Sequence, residues 1–94
     1  MPRFLGIHTF PANAFTYDQV CQLGRAAQED SVVKAYRSFI SLSGGKAACL
    51  IDAPDYQAVV GWFAKMGMPT DAVVEVEVEG EQGIMHELHA AAAS

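Results

Sequence analysis

The sequence predicts an α+β fold with the element order β-α-β-β-α-β, in which a four-stranded antiparallel sheet carries both helices on one face. Three observations point there. Short β-rich runs alternate with two stretches whose apolar residues recur at helical spacing. Gly44-Gly45 separates two of those runs by a hairpin-length turn. The segment Val74-Glu75-Val76-Glu77-Val78-Glu79 alternates strictly, as a half-buried strand does.

The elements follow in order. Arg3–Phe10 reads as a strand stopped by Pro11, and Ala12–Phe15 as a loop. Thr16-Tyr17-Asp18-Gln19 fits a capping box, a hydroxyl at the N-cap with Gln three residues on. Tyr17, Val20, Cys21, Gly24 and Ala27 continue that helix to about Glu29–Asp30. Val32–Ser41 and Lys46–Asp52 form a hairpin across the Gly pair. Pro54 suits the first turn of a second helix, whose stripe is Tyr56, Val59, Val60, Phe63 and Met66. Gly67 and Pro69 end it, and Ala72–Gly80 is the last strand. This is the split βαβ pattern of the ferredoxin-like fold, with strand order 4-1-3-2. Residues 1–80 make one domain, and 81–94 are a tail that packs on a partner or stays unstructured.

Composition bounds the function. The chain has 94 residues, 51% of them hydrophobic, and a net charge of −5. That suits a single globular domain and excludes a disordered chain. Asp71, Glu75, Glu77, Glu79, Glu81 and Glu87 stand in the last quarter, which holds no Lys or Arg, so the acidity is local. No basic cluster suits nucleic acid, and no apolar run approaches the ~20 residues of a membrane span. Cys21 and Cys49 form no C-x-x-C pair and read as free thiols of a cytoplasmic protein.

One sheet face is left open by this architecture. With Leu5, Ile7, Val74, Val76 and Val78 turned to the helices, the open face carries Phe4, His8 and Phe10, and one of Tyr36 and Arg37. A large uncovered apolar face marks an interface. The simplest cover is the same face of a second copy, a two-fold homodimer with a barrel-like interior. The expected interface residues are Phe4, Phe10 and Tyr36.

Two blocks carry a family resemblance. Lys46–Val59, with Asp52-Ala53-Pro54-Asp55 joining strand to helix, is followed by Gly67-Met68-Pro69-Thr70-Asp71 leading into Val74-Glu75-Val76. Over about residues 1–80 the chain resembles the small bacterial ferredoxin-like proteins described as nickel-binding or as domains of unknown function. The resemblance implies a homodimer of the dimeric α/β-barrel kind, and nickel or another divalent transition metal as a ligand. Many relatives carry a His in the second helix where this chain has Trp62-Phe63-Ala64-Lys65, so a metal site here would draw on other residues.

Several residues are candidates for chemistry. His8 and Glu75 or Glu77 become cross-strand neighbours ~4.5–5.5 Å apart at Cβ if the last strand lies beside the first in the right register. Imidazole with carboxylate suits Ni, Zn or Cu. The plain alternatives are a hydrogen-bonded His–Glu pair at an interface, or a solvated Glu row that blunts an edge strand. His86 and His89 share a face if the tail is helical, and can add ligands. Their spacing is not the His-Glu-x-x-His of a metalloprotease. Cys49 is a further soft ligand if it faces the open side, and a small core residue otherwise. Trp62 stands off the apolar stripe and reads as outward-facing. Two functions stay open: a metal-binding homodimer, and a dimeric α/β-barrel enzyme of monooxygenase or isomerase type with a pocket between sheet and helices, working through His8, Asn13 and Trp62. A ligand-free interaction module is the third reading. No recognisable nucleophile–base pair supports catalysis.

Overall fold

The computed structural model describes residues 1–88. Its elements are β1 (Arg3–Thr9), α1 (Tyr17–Glu29), β2 (Lys34–Ser41), β3 (Lys46–Asp52), α2 (Tyr56–Lys65), β4 (Ala72–Glu75), β5 (Val78–Glu81) and β6 (Ile84–Glu87). β1 to β4 form one antiparallel sheet in the order β2-β3-β1-β4, and β5 and β6 form a separate hairpin. The fold is α+β with two helices. Among the described residues no helix is long and apolar enough to cross a membrane.

Local signals start and stop the helices. Thr16 Oγ1 accepts the Gln19 amide at 3.1 Å, and Gln19 Oε1 accepts the Thr16 amide at 2.8 Å, so the capping box is complete. Asp55, not Pro54, caps α2, accepting the Ala58 amide at 2.8 Å. The proline therefore sits just outside the helix. Gly45 turns the β2–β3 hairpin at φ 67°, and a Cβ there would lie 2.1 Å from the Phe10 carbonyl oxygen. Only glycine fits that turn.

Both helices pack on one sheet face. Phe4, Cys49 and Ile51 of the sheet join Ala27 of α1 and Val59, Trp62 and Phe63 of α2 in the core. The parity of β1 is therefore the reverse of the sequence expectation. Phe4, Gly6 and His8 point to the helices, while Leu5 and Ile7 are half-buried on the other face. The reason is packing at Gly6, where a Cβ would fall 2.5 Å from Phe63 Cε2. The missing side chain lets the Phe63 ring lie against the strand, beside the His8 ring at 4.6 Å between centroids. A strand repeats every two residues, so one inward position sets all the others.

The last strand also departs from expectation. Alternation predicts one run over Ala72–Gly80, but β4 stops at Glu75 and β5 begins at Val78. Between them the Val76 amide donates to the Arg3 carbonyl at 2.8 Å and the chain leaves the sheet. The β4 register pairs Val74 with Leu5 and Glu75 with Phe4. Val74 is thus on the open face, not in the core, and Val78 stands exposed on the hairpin. Part of the expected tail is this hairpin, closed by Gln82 at φ 49° and Gly83 at φ 84°. Arg3 ties it to the sheet, pairing with Asp52 at 2.7 Å and with Glu79.

Candidate functional site

A cavity of about 150 Å³ lies between the two helices and the sheet. Its wall is apolar, with Phe10 and Phe15 from the loop before α1, Leu23 from α1, Trp62 and Phe63 from α2, and Met68 from the loop before β4. Among the described residues no Lys, Arg, Asp or Glu lines it. The polar side chains on the wall are His8, Ser38 and Cys49. α1 makes the cavity possible: its only buried residue is Ala27, and Val20 and Leu23 remain half-buried along the wall.

His8 is the chemical feature of this wall. It is 1% exposed, and its Nδ1 lies 2.9 Å from the Pro69 carbonyl oxygen. A carbonyl only accepts, so Nδ1 carries the proton and donates. Thr70 Oγ1 lies 3.3 Å from the same nitrogen while donating to the Met68 carbonyl, so it too faces Nδ1 as an acceptor. Nε2 is then a bare lone pair, buried and without a partner. Burial pushes the imidazole pKa below its ordinary value, against smaller opposing effects of the Pro69 carbonyl and Asp71. His8 is accordingly neutral at pH 7. A Cβ at position 6 would stand 3.1 Å from Nε2 and 2.5 Å from Phe63 Cε2, so the backbone of Gly6 and the Phe63 ring border this nitrogen.

Cys49 is buried on the same face. The register pairs His8 with Ala47, which sets Cys49 one diagonal away, ~7–8 Å on a regular sheet. Burial raises its thiol pKa, against a smaller lowering effect of its hydrogen bond to Ser38. It is a protonated thiol, not an activated nucleophile.

The expected metal donors do not converge. His8 faces the helices, and Glu75 pairs with Phe4, four residues further along β1, or about 13 Å at ~3.3 Å per residue. Glu77 lies in the connection between β4 and β5. His86 is on β6, paired with Glu79, so it stands on a strand and not on a helical face with His89. His89 lies outside the described residues. Among the described residues no three of His, Cys, Asp and Glu stand together as a metal site. Among the described residues, the donors expected from strand pairing and spacing therefore do not come together within one protomer.

The other candidates are redistributed too. Trp62, expected outward, is 7% exposed, and it lines the cavity with His8. The physical reason is packing: the indole meets the Phe63 ring edge to face, 6.0 Å between centroids, inside the core that both helices build on the sheet. Asn13 sits in the exposed loop before α1 at φ 59°, off the cavity wall. Phe4 is core, not interface, and Phe10 lies edge-on to Phe15 at the cavity. Tyr36 stays on the open face, with the Arg3 guanidinium 3.4 Å above its ring. The sequence reading puts a pocket between sheet and helices only under the enzyme alternative, with His8, Asn13 and Trp62, and it names none of Leu23, Ser38 and Met68. Their only signal is membership of inward-facing stripes, which cavity and core residues share.

The open face is apolar. Leu5, Ile7 and Leu50 are half-buried there, beside Phe39 (57% exposed) and Val74 (53%). No family model matches the chain, and no curated protein does. A solved structure it is similar to is that of SCO4226 from Streptomyces coelicolor A3(2), with a TM-score of 0.69 and 23% identity over 83% of this chain and 99% of that one. At that identity the likeness is one of fold.

Proposed function

We propose that this protein is a homodimeric, ferredoxin-like binding protein that holds one small organic molecule per protomer in the cavity between sheet and helices. The observation that carries the reading is the cavity of about 150 Å³ between sheet and helices, walled by the Phe10, Phe15, Trp62 and Phe63 rings. Pockets of this type, mainly apolar with a few directed polar groups, are the usual form of small-molecule sites. The protonated Cys49 thiol and the absence of charge on the wall favour binding over catalysis.

The dimer reading rests on the open face. A surface with Leu5, Ile7, Leu50, Phe39 and Val74 in one patch is expensive to leave in water. Its own charges complement one another: Arg37 lies on the β2–β3 side, and Glu77, Glu81 and Glu87 on or beside the hairpin. A two-fold axis sets the one side against the other. Crystals pressurised with xenon test both parts. Xenon in the cavity and two copies packed through the open faces are expected; an empty cavity, or a solvated open face, overturns the corresponding part.

A further inference from the structure

We infer that the cavity selects an uncharged, apolar molecule of single-ring size, a hydrocarbon of the benzene or toluene class, and discriminates against analogues that carry a hydroxyl or a charge; this rests on the cavity being a ligand site at all. Four observations narrow the ligand to that class. The first is size. The cavity measures about 150 Å³, and an apolar cavity of ~150 Å³ takes a benzene-sized guest.

The second is the state of the three polar side chains on the wall. His8 Nδ1 donates to the Pro69 carbonyl at 2.9 Å, so each is taken by the other. His8 Nε2 is buried against the Gly6 backbone and the Phe63 ring, out of a guest's reach. Cys49 is buried and hydrogen-bonded to Ser38, and Ser38 stands exposed on the edge strand β2, at the solvent end of the wall. A hydroxyl carried past that end loses its water and finds no partner. The third is charge. Among the described residues no Lys, Arg, Asp or Glu lines the wall to meet a carboxylate or an ammonium, and a buried unpaired charge is far costlier than a hydroxyl. The fourth is the aromatic wall. Phe10, Phe15, Trp62 and Phe63 offer ring edges and faces, and Phe10–Phe15 and Trp62–Phe63 already meet edge to face. A planar ring continues that packing without a polar handle.

The test uses the full chain, labelled with ¹⁵N and with ¹³C at its methyl groups, at pH 7.5. Benzene, toluene, phenol, benzoate and benzylammonium are titrated separately, and shifts at the Cys49 amide and the Trp62 indole are followed. Phenol is expected to bind roughly 5–150-fold more weakly than benzene, which is ~1–3 kcal/mol for a hydroxyl buried without a partner, at tenfold per ~1.4 kcal/mol. Toluene is expected to bind with benzene rather than with phenol. Benzoate and benzylammonium are expected to leave these signals unmoved. Nuclear Overhauser contacts from the protons of bound benzene to the methyl groups of Leu23 and Met68, both on the wall, locate the guest without any substitution. Phenol binding as tightly as benzene, or a charged analogue binding best, overturns the ligand class and leaves the cavity as a site. Failure of benzene, toluene and phenol alike, or bound benzene that touches neither methyl group, overturns the site itself.

Discussion

Arg3 reaches Glu79 across 76 residues of sequence, and in doing so fastens the β5–β6 hairpin to the first strand. The same guanidinium is held by Asp52, its register partner on β3, through Nε at 2.7 Å and Nη2 at 3.1 Å, and lies over the Tyr36 ring. One side chain thus joins β1, β2, β3 and the hairpin. The hydrogen bonds to Asp52 and Glu79 raise the Arg3 pKa further above its already high value.

Loss of this contact should free the hairpin before it unfolds the sheet. Arg3→Ala and Glu79→Ala are each expected to cost about 1 kcal/mol, the range of partly exposed ion pairs. Hydrogen exchange should quicken at Val78–Glu87 and change little in β1 and β3. Equal acceleration throughout the sheet would contradict the hairpin-specific role.

Stability should fall on mild acidification because of His8. Its folded pKa lies below the ordinary value, so the folded state prefers the neutral ring. As pH drops below about 6.5, the unfolded chain takes up a proton that the folded chain resists. The contribution is therefore fully present above that value and is lost as pH falls toward the folded pKa. Thermal melts from pH 7.5 to 5 should show a falling midpoint, and His8→Phe should flatten that part of the profile.

Gly6 admits no side chain. A Cβ would meet Phe63 Cε2 at 2.5 Å, and Phe63 is 2% exposed with little room to retreat. Gly6→Ala is expected to destabilise by roughly 1–3 kcal/mol, as overpacking does. A chemical denaturation curve with an unchanged midpoint would show that α2 can shift away from β1.

Gly24 is the opposite case. It lies in α1, and a Cβ built there meets nothing within 4 Å. Gly24→Ala should stabilise by roughly 0.5–1 kcal/mol through helix propensity alone. Gly24 also lines the cavity, so thermal melts should show the gain while the added methyl group takes space from a bound ligand.

Phe39→Glu tests the open face. The side chain is 57% exposed, so the fold should tolerate the change. Light scattering should move from twice the chain mass of 10.1 kDa to 10.1 kDa. A parent protein already monomeric at 100 μM would refute the interface.

The sequence alone was sufficient for the two helices and the first three strands, because their signals are local. The Thr16–Gln19 capping box, the Gly44-Gly45 turn and the Asp55 cap region each involve residues within a few positions of one another. Gln82-Gly83 was legible in the same way, as a two-residue turn with positive φ, but the strict Val/Glu alternation before it argued for one long strand. That alternation is equally satisfied by two short strands with a bend, and the bend is set by the Val76 amide reaching the Arg3 carbonyl, 73 residues away.

The site was decided elsewhere. β1 carries apolar groups on both faces, Phe4 and His8 on one and Leu5 and Ile7 on the other, so its periodicity does not choose an inward side. The choice falls to a long-range fit, in which Gly6 gives Phe63 the space to reach the strand. That single parity takes His8 from an open sheet face to a buried wall, while the β4 register sets Glu75 opposite Phe4, four residues along β1 from His8. Local chain chemistry thus determined that this protein is an α+β domain with an uncovered sheet face. Only tertiary packing, acting between residues tens of positions apart, decided which side chains that face shows and which meet in the cavity.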